Sequence, residues 1–398
     1  MGVKSFPGWT RTISVGKNIR EFYPSLGNVT LTGANTIATL LDGPEKVVRY
    51  GNLVLGDGAT VTSLTASNRC KGLTIICDNL TIKSNATLHM NGKGARVFVN
   101  DDPFFPWVNF AIPDSITLSS SKLSLAAAKK IIRDNGFAVW DRGTFEAIVA
   151  ALFGFSLTPS GGTVLLTAGN GGAGGNYTYD GEGVGTSRAG NAGAAGTQGN
   201  PGGGGGGAAY ASGAQFGVVS SGGGTGCPYS GGSGGGGVAD TGSTFRCISS
   251  PGSKYSGPGG TGGGGGTYSG PGCAFMGEGP GAYSSGNGGG AGNPGGLGGV
   301  QGGSGTGGKL TIICYGVISV LPGGKIQANG VQGGSASYGG GGGSGGGHIS
   351  LIYPSGGYNN AGTVQASGGA GGTGGAAGGA GGAGCVLTKI FTTDMGWN

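Results

Sequence analysis

The chain has 398 residues, of which 105 are glycine and 16 proline, about 30% together, yet 36% are hydrophobic and only 10% charged. Its net charge of +6 comes mostly from Lys and Arg ahead of Gly143, mixed with acids, which leaves no basic stripe for nucleic acid. No apolar run reaches the ~18 residues of a membrane span, and the start MGVKSFPGWTRTISV lacks the apolar stretch of a secretory signal.

Residues 1–50 are mixed and polar, with Phe6, Trp9, Phe22 and Tyr23 as packing points, and are expected to form an N-terminal attachment segment. A β pattern fills 51–118. Asn52 to Thr62, Leu73-Thr-Ile-Ile-Cys77, Leu80-Thr-Ile82 and Ala86-Thr-Leu-His-Met90 are short β-branched runs broken by Asn, Asp and Gly, which is the pattern of strands and turns. Residues 119–160 change period: Ser121 precedes Leu123, Leu125, Ala126, Ala128, Ile131 and Ile132, Gly136 stops the run, and Thr144 opens a second. This predicts a small helical insertion.

From 161 to 398, glycine-rich segments alternate with short strands. Leu73-Thr-Ile-Ile-Cys77 recurs as Leu310-Thr-Ile-Ile-Cys314, and each is followed by a turn and another strand. The endings Ala86 to Gly92, Gly324 to Gly330 and Gly362 to Gly368 repeat an apolar-polar-small-Gly pattern, and Gly162 to Gly169 is a looser copy. Such repeats predict stacked strand units. The glycines themselves fall three apart: Gly190 to Gly205, Gly257 to Gly266, Gly286 to Gly298, and Gly369, Gly372, Gly375, Gly378, Gly381 and Gly384. Three residues per turn is the repeat of the extended left-handed helix, whose N–H and C=O groups point outward to neighbours. The expected fold is mainly β, with solenoid-like strand repeats, the helical insertion and a bundle of polyglycine II helices.

Seven cysteines without a CxxC spacing give no disulfide framework for the set. Cys227, Cys247 and Cys273 lie in glycine-rich loops and are open to one bridge, while Cys77 and Cys314 sit inside apolar strands as small hydrophobes. Little supports catalysis. His89 and His348 fall within predicted strands, and Asp57 and Asp78 have turn contexts. With Asp101, Asp102 and Asp114 these aspartates could in principle supply the carboxylate pair of a glycan-cleaving spike. Gly202 to Gly207 is not followed by Gly-Lys-Ser/Thr and is no phosphate loop. No enzyme activity, cofactor or metal is expected.

Triplet-phased glycine segments joined by short aromatic loops resemble, over about residues 161–385, the glycine-rich adhesins at the tips of bacteriophage long tail fibres. The resemblance implies a rigid sandwich of polyglycine helices whose loops touch a receptor on the host cell, either a surface glycan or an outer-membrane protein. The loop residues are Tyr177, Tyr179, Arg188, Tyr210, Phe216, Tyr229, Phe245, Arg246, Lys254, Tyr255, Tyr268, Phe275, Tyr283 and Tyr338, with Tyr353 and Tyr358 farther on. Tyrosine offers large contact area at low entropy cost plus a hydroxyl. The expected setting is a virion tail, synthesised in the host cytoplasm, with other tail proteins as partners and a homotrimer or mounting on a trimeric fibre. The alternatives are a purely structural virion component, with its loops against neighbouring subunits, and an ice-binding protein.

Overall fold

The computed structural model describes residues 23–56, 61–96, 189–196, 201–211, 222–224, 226, 229–240, 252, 259 and 288–390, with short strands at 116–117, 163–164, 176–177, 218–219, 247–248 and 263–265. The described part is mainly β and contains no helix. Three five-stranded sheets, parallel throughout, hold most of the regular structure. The chain runs through them in the same order five times.

The first circuit is Val29–Leu31, Ala34–Ile37 and Lys46–Arg49; the second is Asn52–Leu55, Ser63–Ala66 and Leu73–Cys77. The third begins with Asn79–Ile82 and Thr87–His89 and is completed only by Lys309–Cys314. Ile318–Val320, Lys325–Gln327 and His348–Tyr353 make the fourth, and Tyr358–Asn360, Thr363–Gln365 and Cys385–Ile390 the fifth. The recurring sequence therefore marks neighbours in space: Leu310, Ile312 and Cys314 pair in register with Leu73, Ile75 and Cys77. All six are buried in one core with Leu53, Leu55, Leu80, Ile82, Leu88, Ile318 and Ile326. In-register stacking puts like side chain on like, and each buried Leu or Ile contributes about 1.5–3 kcal/mol relative to exposure.

Corners between sheets use polar side chains as extra rungs. Asn28 Oδ1 accepts from the Asn52 amide at 2.8 Å, Asn79 Nδ2 donates to Asn52 Oδ1 at 2.8 Å, and the Val317 amide donates to Asn79 Oδ1 at 2.9 Å. At another corner the Asn329 amide donates to Asn91 Oδ1 (2.7 Å), and the Ser367 amide to Asn329 Oδ1 (2.9 Å). Asn85 (φ 64°) and Gly323 (φ 80°) occupy matching left-handed turn positions in successive circuits, a conformation that Gly and Asn tolerate best.

The corner between the second and third sheets differs from circuit to circuit. In the first two it is short and clamped: Arg69 Nε and Nη2 donate to Asp42 at 2.7 and 3.0 Å, and the Arg96 amide donates to Asp42 at 2.7 Å. In the last three it opens into glycine segments, and these bond to one another through their backbones. Gly339–Gly347 lies at the centre. Gly340, Gly343 and Gly346 donate to Ala376, Gly379 and Gly382; Gly341 and Ser344 to Gly334 and Val331; Gly342 and Gly345 to Gly235 and Gly232. Their carbonyls accept on three other sides: from Gly202, Gly205 and Ala208, from Gly369 and Gly372, and from Gly288, Ala291 and Gly307. Every bond along one neighbour recurs three residues on.

Several expectations change here. The N-terminal segment drawn at 1–50 already supplies the first circuit, because the inward faces of Val29, Leu31 and Ile37 complete the core. A boundary near residue 160 does not divide two bodies either, since strands from 309–390 stack directly on those from 46–89. Thr163–Val164 does not join the sheets as a copy of the repeat; it pairs antiparallel with Ile116–Thr117. The helical insertion otherwise lies outside the described residues. The regular frame through Gly375 hides a reversal. Gly369 and Gly372 are buried before it and Ala376, Gly379 and Gly382 after it, a slip of one, because Gly378 and Gly381 turn back to donate to Gly372 and Gly369.

A methyl on Gly342 would overlap the carbonyl of Gly205. Gly342→Ala is expected to destabilise the protein by about 1–3 kcal/mol, whereas Ala380→Ser, on an exposed position of the bundle, should change stability by less than about 0.5 kcal/mol. Denaturant melts of both variants check the contrast. Asn79→Ala removes two corner hydrogen bonds and should cost about 1–2 kcal/mol in the same assay.

Candidate functional site

The glycine segments run between two different ends. The near end abuts the sheets and holds Gly202, Ser230, Thr306, Gly330, Gly346 and Gly384; the far end holds Ala208, Val238, Ala336, Tyr338 and Ala376. This follows from the bond registers, for Gly202, Gly205 and Ala208 pair with Gly346, Gly343 and Gly340 in turn, and Gly330 and Ala336 with Ser367 and Thr373.

Polar side chains pin the near end. Asn293 Nδ2 donates to the carbonyl of Gly94 at 2.9 Å and to Thr306 Oγ1 at 3.2 Å, and Ser230 Oγ lies against Thr306 Oγ1. The Gly94 amide donates to the Thr306 carbonyl at 2.9 Å. Ser230, Asn293 and Thr306 are all fully buried. Tyr229 is 0% exposed in the same region. Burial takes it off any contact surface, although its loop position in the sequence suggests the opposite.

At the far end the chain returns to short strands. Ala209–Ala211, Val238–Asp240 and Gly263–Gly265 form a parallel sheet, with Tyr210 level with Ala239 and Ala211 with Asp240. Beside it, Asn176–Tyr177 pairs antiparallel with Val218–Val219, which pairs parallel with Cys247–Ile248. Tyr210 and Tyr338 stack with ring centroids 5.2 Å apart and planes 30° from parallel. Tyr338 is 36% exposed. A methyl on Gly375 would run into the Tyr210 ring, so a glycine at this turn makes room for the pair.

The structure thus brings the strands of Tyr177 and Tyr210 together with Tyr338 at one end, where the rings of Tyr210 and Tyr338 are in contact. Tyr353, at the end of the fourth circuit, and Tyr358, at the start of the fifth, stack at 5.1 Å and pack against the sheet core, away from that end. Burial, with Tyr353 adding to it, pushes the Tyr358 hydroxyl pKa up. Tyr179, Arg188, Phe216, Phe245, Arg246, Lys254, Tyr255, Tyr268, Phe275 and Tyr283 lie outside the described residues, as do Cys227 and Cys273. Sequence reasoning did not find Gly375 or the Asn293–Thr306–Ser230 pin. A single glycine, or a Ser and a Thr in a glycine run, gives no local signal of what it faces.

Nothing among the described side chains gathers into a reaction centre. No group of three His, Cys, Asp or Glu among them could hold a metal ion. His89 is half-buried, which with the nearby Lys93 lowers its pKa and favours the neutral ring, and His348 Nε2 is occupied by Ser350 Oγ on its own strand. No helix among the described residues is long and apolar enough to cross a membrane. No protein-family model matches the chain, and no curated protein or solved structure matches it.

Asn293→Ala removes two buried hydrogen bonds and leaves the Gly94 carbonyl exposed to an empty site, so a loss of about 1–3 kcal/mol is expected. Tyr338→Ala, at an exposed ring, should leave stability within about 1 kcal/mol of the parent. Thermal melts of the pair locate the structural pin at the near end; equal losses would place the stability determinant elsewhere.

Proposed function

We propose that this protein is a bacteriophage tail-fibre or tail-tip receptor-binding protein that recognises the host cell surface through aromatic groups at the far end of its glycine bundle. In this reading the five circuits are a solenoid whose first turns face the rest of the tail, and the glycine segments are polyglycine II helices. The solenoid carries the bundle, and the bundle carries the loops. The observation behind the reading is the Tyr210–Tyr338 pair, held at the end of a backbone-bonded scaffold that leaves Tyr338 accessible.

Physical reasons support the assignment. Binding groups collect on loops that a rigid scaffold positions, and a tyrosine face suits sugar rings or protein side chains while its hydroxyl serves polar partners. The strands bearing Tyr177 and Tyr210 lie together at the far end with those that hold Asp240 and Cys247. The partners proposed are a surface glycan or outer-membrane protein of the host and other tail proteins, with the chain as a homotrimer or mounted on a trimeric fibre in the virion.

A second reading has one observation in its favour. Ser367, Ala370 and Thr373, and then Ala377, Ala380 and Ala383, are exposed at every third position of adjoining segments, giving the regular small-residue face that ice binding requires. Thermal hysteresis in the purified protein would support that reading, and its absence would remove it.

The receptor assignment is tested by adsorption of purified protein to candidate host cells. Exchange of the segments 176–188, 238–255 or 267–285, one at a time, is expected to alter host range, and Tyr338→Ala to weaken adsorption about tenfold, as loss of an aromatic anchor does. If no exchange changes adsorption, the receptor-binding assignment fails and a structural role in the virion replaces it.

A further inference from the structure

Cys77 and Cys314 close the same two strands. They are the last in-register pair between Leu73–Cys77 and Lys309–Cys314, both side chains are buried in the core, and the Cys314 thiol donates to the Asp78 carbonyl beside Cys77 at 3.5 Å. Neighbouring parallel strands lie about 4.8 Å apart, within the Cα separation a disulfide spans, roughly 4.4–6.8 Å. Both are free thiols in this structure.

We propose that Cys77 and Cys314 form a redox-responsive pair that closes to a disulfide outside a reducing cytoplasm and staples the chain across its long glycine-rich excursion. The bond would tie the second circuit, made before the chain leaves the sheets at His89, to the strand on which it returns at Lys309. A cross-link spanning so long a stretch of sequence constrains the unfolded chain more than a local one. The inference stands on the sheet register and is independent of the receptor reading.

The two sulfurs have different roles. The neighbouring Cys77 lowers the Cys314 pKa, while Cys77 itself is pushed up, first by Cys314 and then by burial. With a small-molecule disulfide as oxidant, Cys314 attacks one sulfur, the oxidant's S–S bond breaks, and one thiolate leaves. The Cys77 sulfur gives its proton to that thiolate and attacks Cys314, which forms the Cys77–Cys314 bond and expels the second thiolate. Two protein thiols are oxidised and one oxidant disulfide is reduced to two thiols. The corner beside Cys314, at Tyr315 and Gly316, is where an oxidant must reach the pair.

The full-length folded protein is incubated with oxidised glutathione or with dithiothreitol, its remaining thiols are alkylated in denaturant, and its peptides are mapped by mass spectrometry. The expected result is a linked peptide joining Cys77 to Cys314 in the oxidised sample only. Its melting temperature should rise by a few degrees, reversed by reductant and absent in Cys314→Ser. Full alkylation of both cysteines after native oxidation, or their linkage to other cysteines instead, overturns the proposal. The peptide map of the parent protein decides the matter even where Cys314→Ser does not fold.

Discussion

A backbone amide of one glycine segment reaches a carbonyl of the next only where no Cβ stands between them, and the rest of the molecule is organised around that requirement. Ordering glycine costs more conformational entropy than ordering any other residue. In return, segments without side chains approach closely enough for each amide to find a partner outside its own strand. At Gly339–Gly347 this happens on six sides. At 189–196 it happens on two sides, where Gly190, Gly193 and Gly196 donate to Ala377, Ala380 and Ala383 and the Asn191 and Ala194 carbonyls accept from Gly206 and Gly203, while residues 191, 192, 194 and 195 are exposed. The number of neighbours sets how many residues in each triplet must be glycine. Glycine broken only by the buried Ser344 marks the centre, Gly-Gly-X a partly covered segment such as 368–373, and Gly-X-X an edge.

Such a bundle has few side chains from which to build an apolar core, and the sheets supply one. Leu, Ile and Val stacked in register bury the inward face of three walls, while Asn28 and Asn79 accept from backbone amides at the bends and Asn52 links to the Asn79 side chain. Long excursions at a single corner leave that register intact, because the entropic cost of closing a loop grows only slowly with its length. The join is made by buried hydrogen bonds from Asn293 and Thr306, with the Ser230 hydroxyl beside them. A displacement at the joint would leave several polar groups unsatisfied together, which fixes the bundle relative to the walls.

Much of this is legible in the sequence at the level of pattern. The recurrence of Leu-Thr-Ile-Ile-Cys marks two equivalent strands of a repeat. The frame of three marks backbones that must pack closely. Aromatic residues between glycine blocks mark places where the chain leaves the bundle, and Tyr210 and Tyr338 meet there. The same pattern fails for Tyr229, which also sits between glycines but lies at the near end and is buried. It fails again at Gly375, where the sequence keeps its frame while the chain reverses. Neither case differs locally from its counterparts, because near and far ends are distinguished only by what lies beyond them.

The sequence by itself determined many of the strands after residue 50 and which backbones need close neighbours. Those properties follow from β-branching, from missing side chains and from composition, all of which act over a few residues. Only the tertiary structure decided that strands at 73–77 and 309–314 adjoin, that one corner hosts every glycine excursion, and which aromatic rings are brought together. These are contacts between residues distant along the chain, fixed by sheet register and backbone hydrogen bonding among segments whose sequences are nearly alike. Glycine runs announce that they will pack, and only the folded molecule selects their partners.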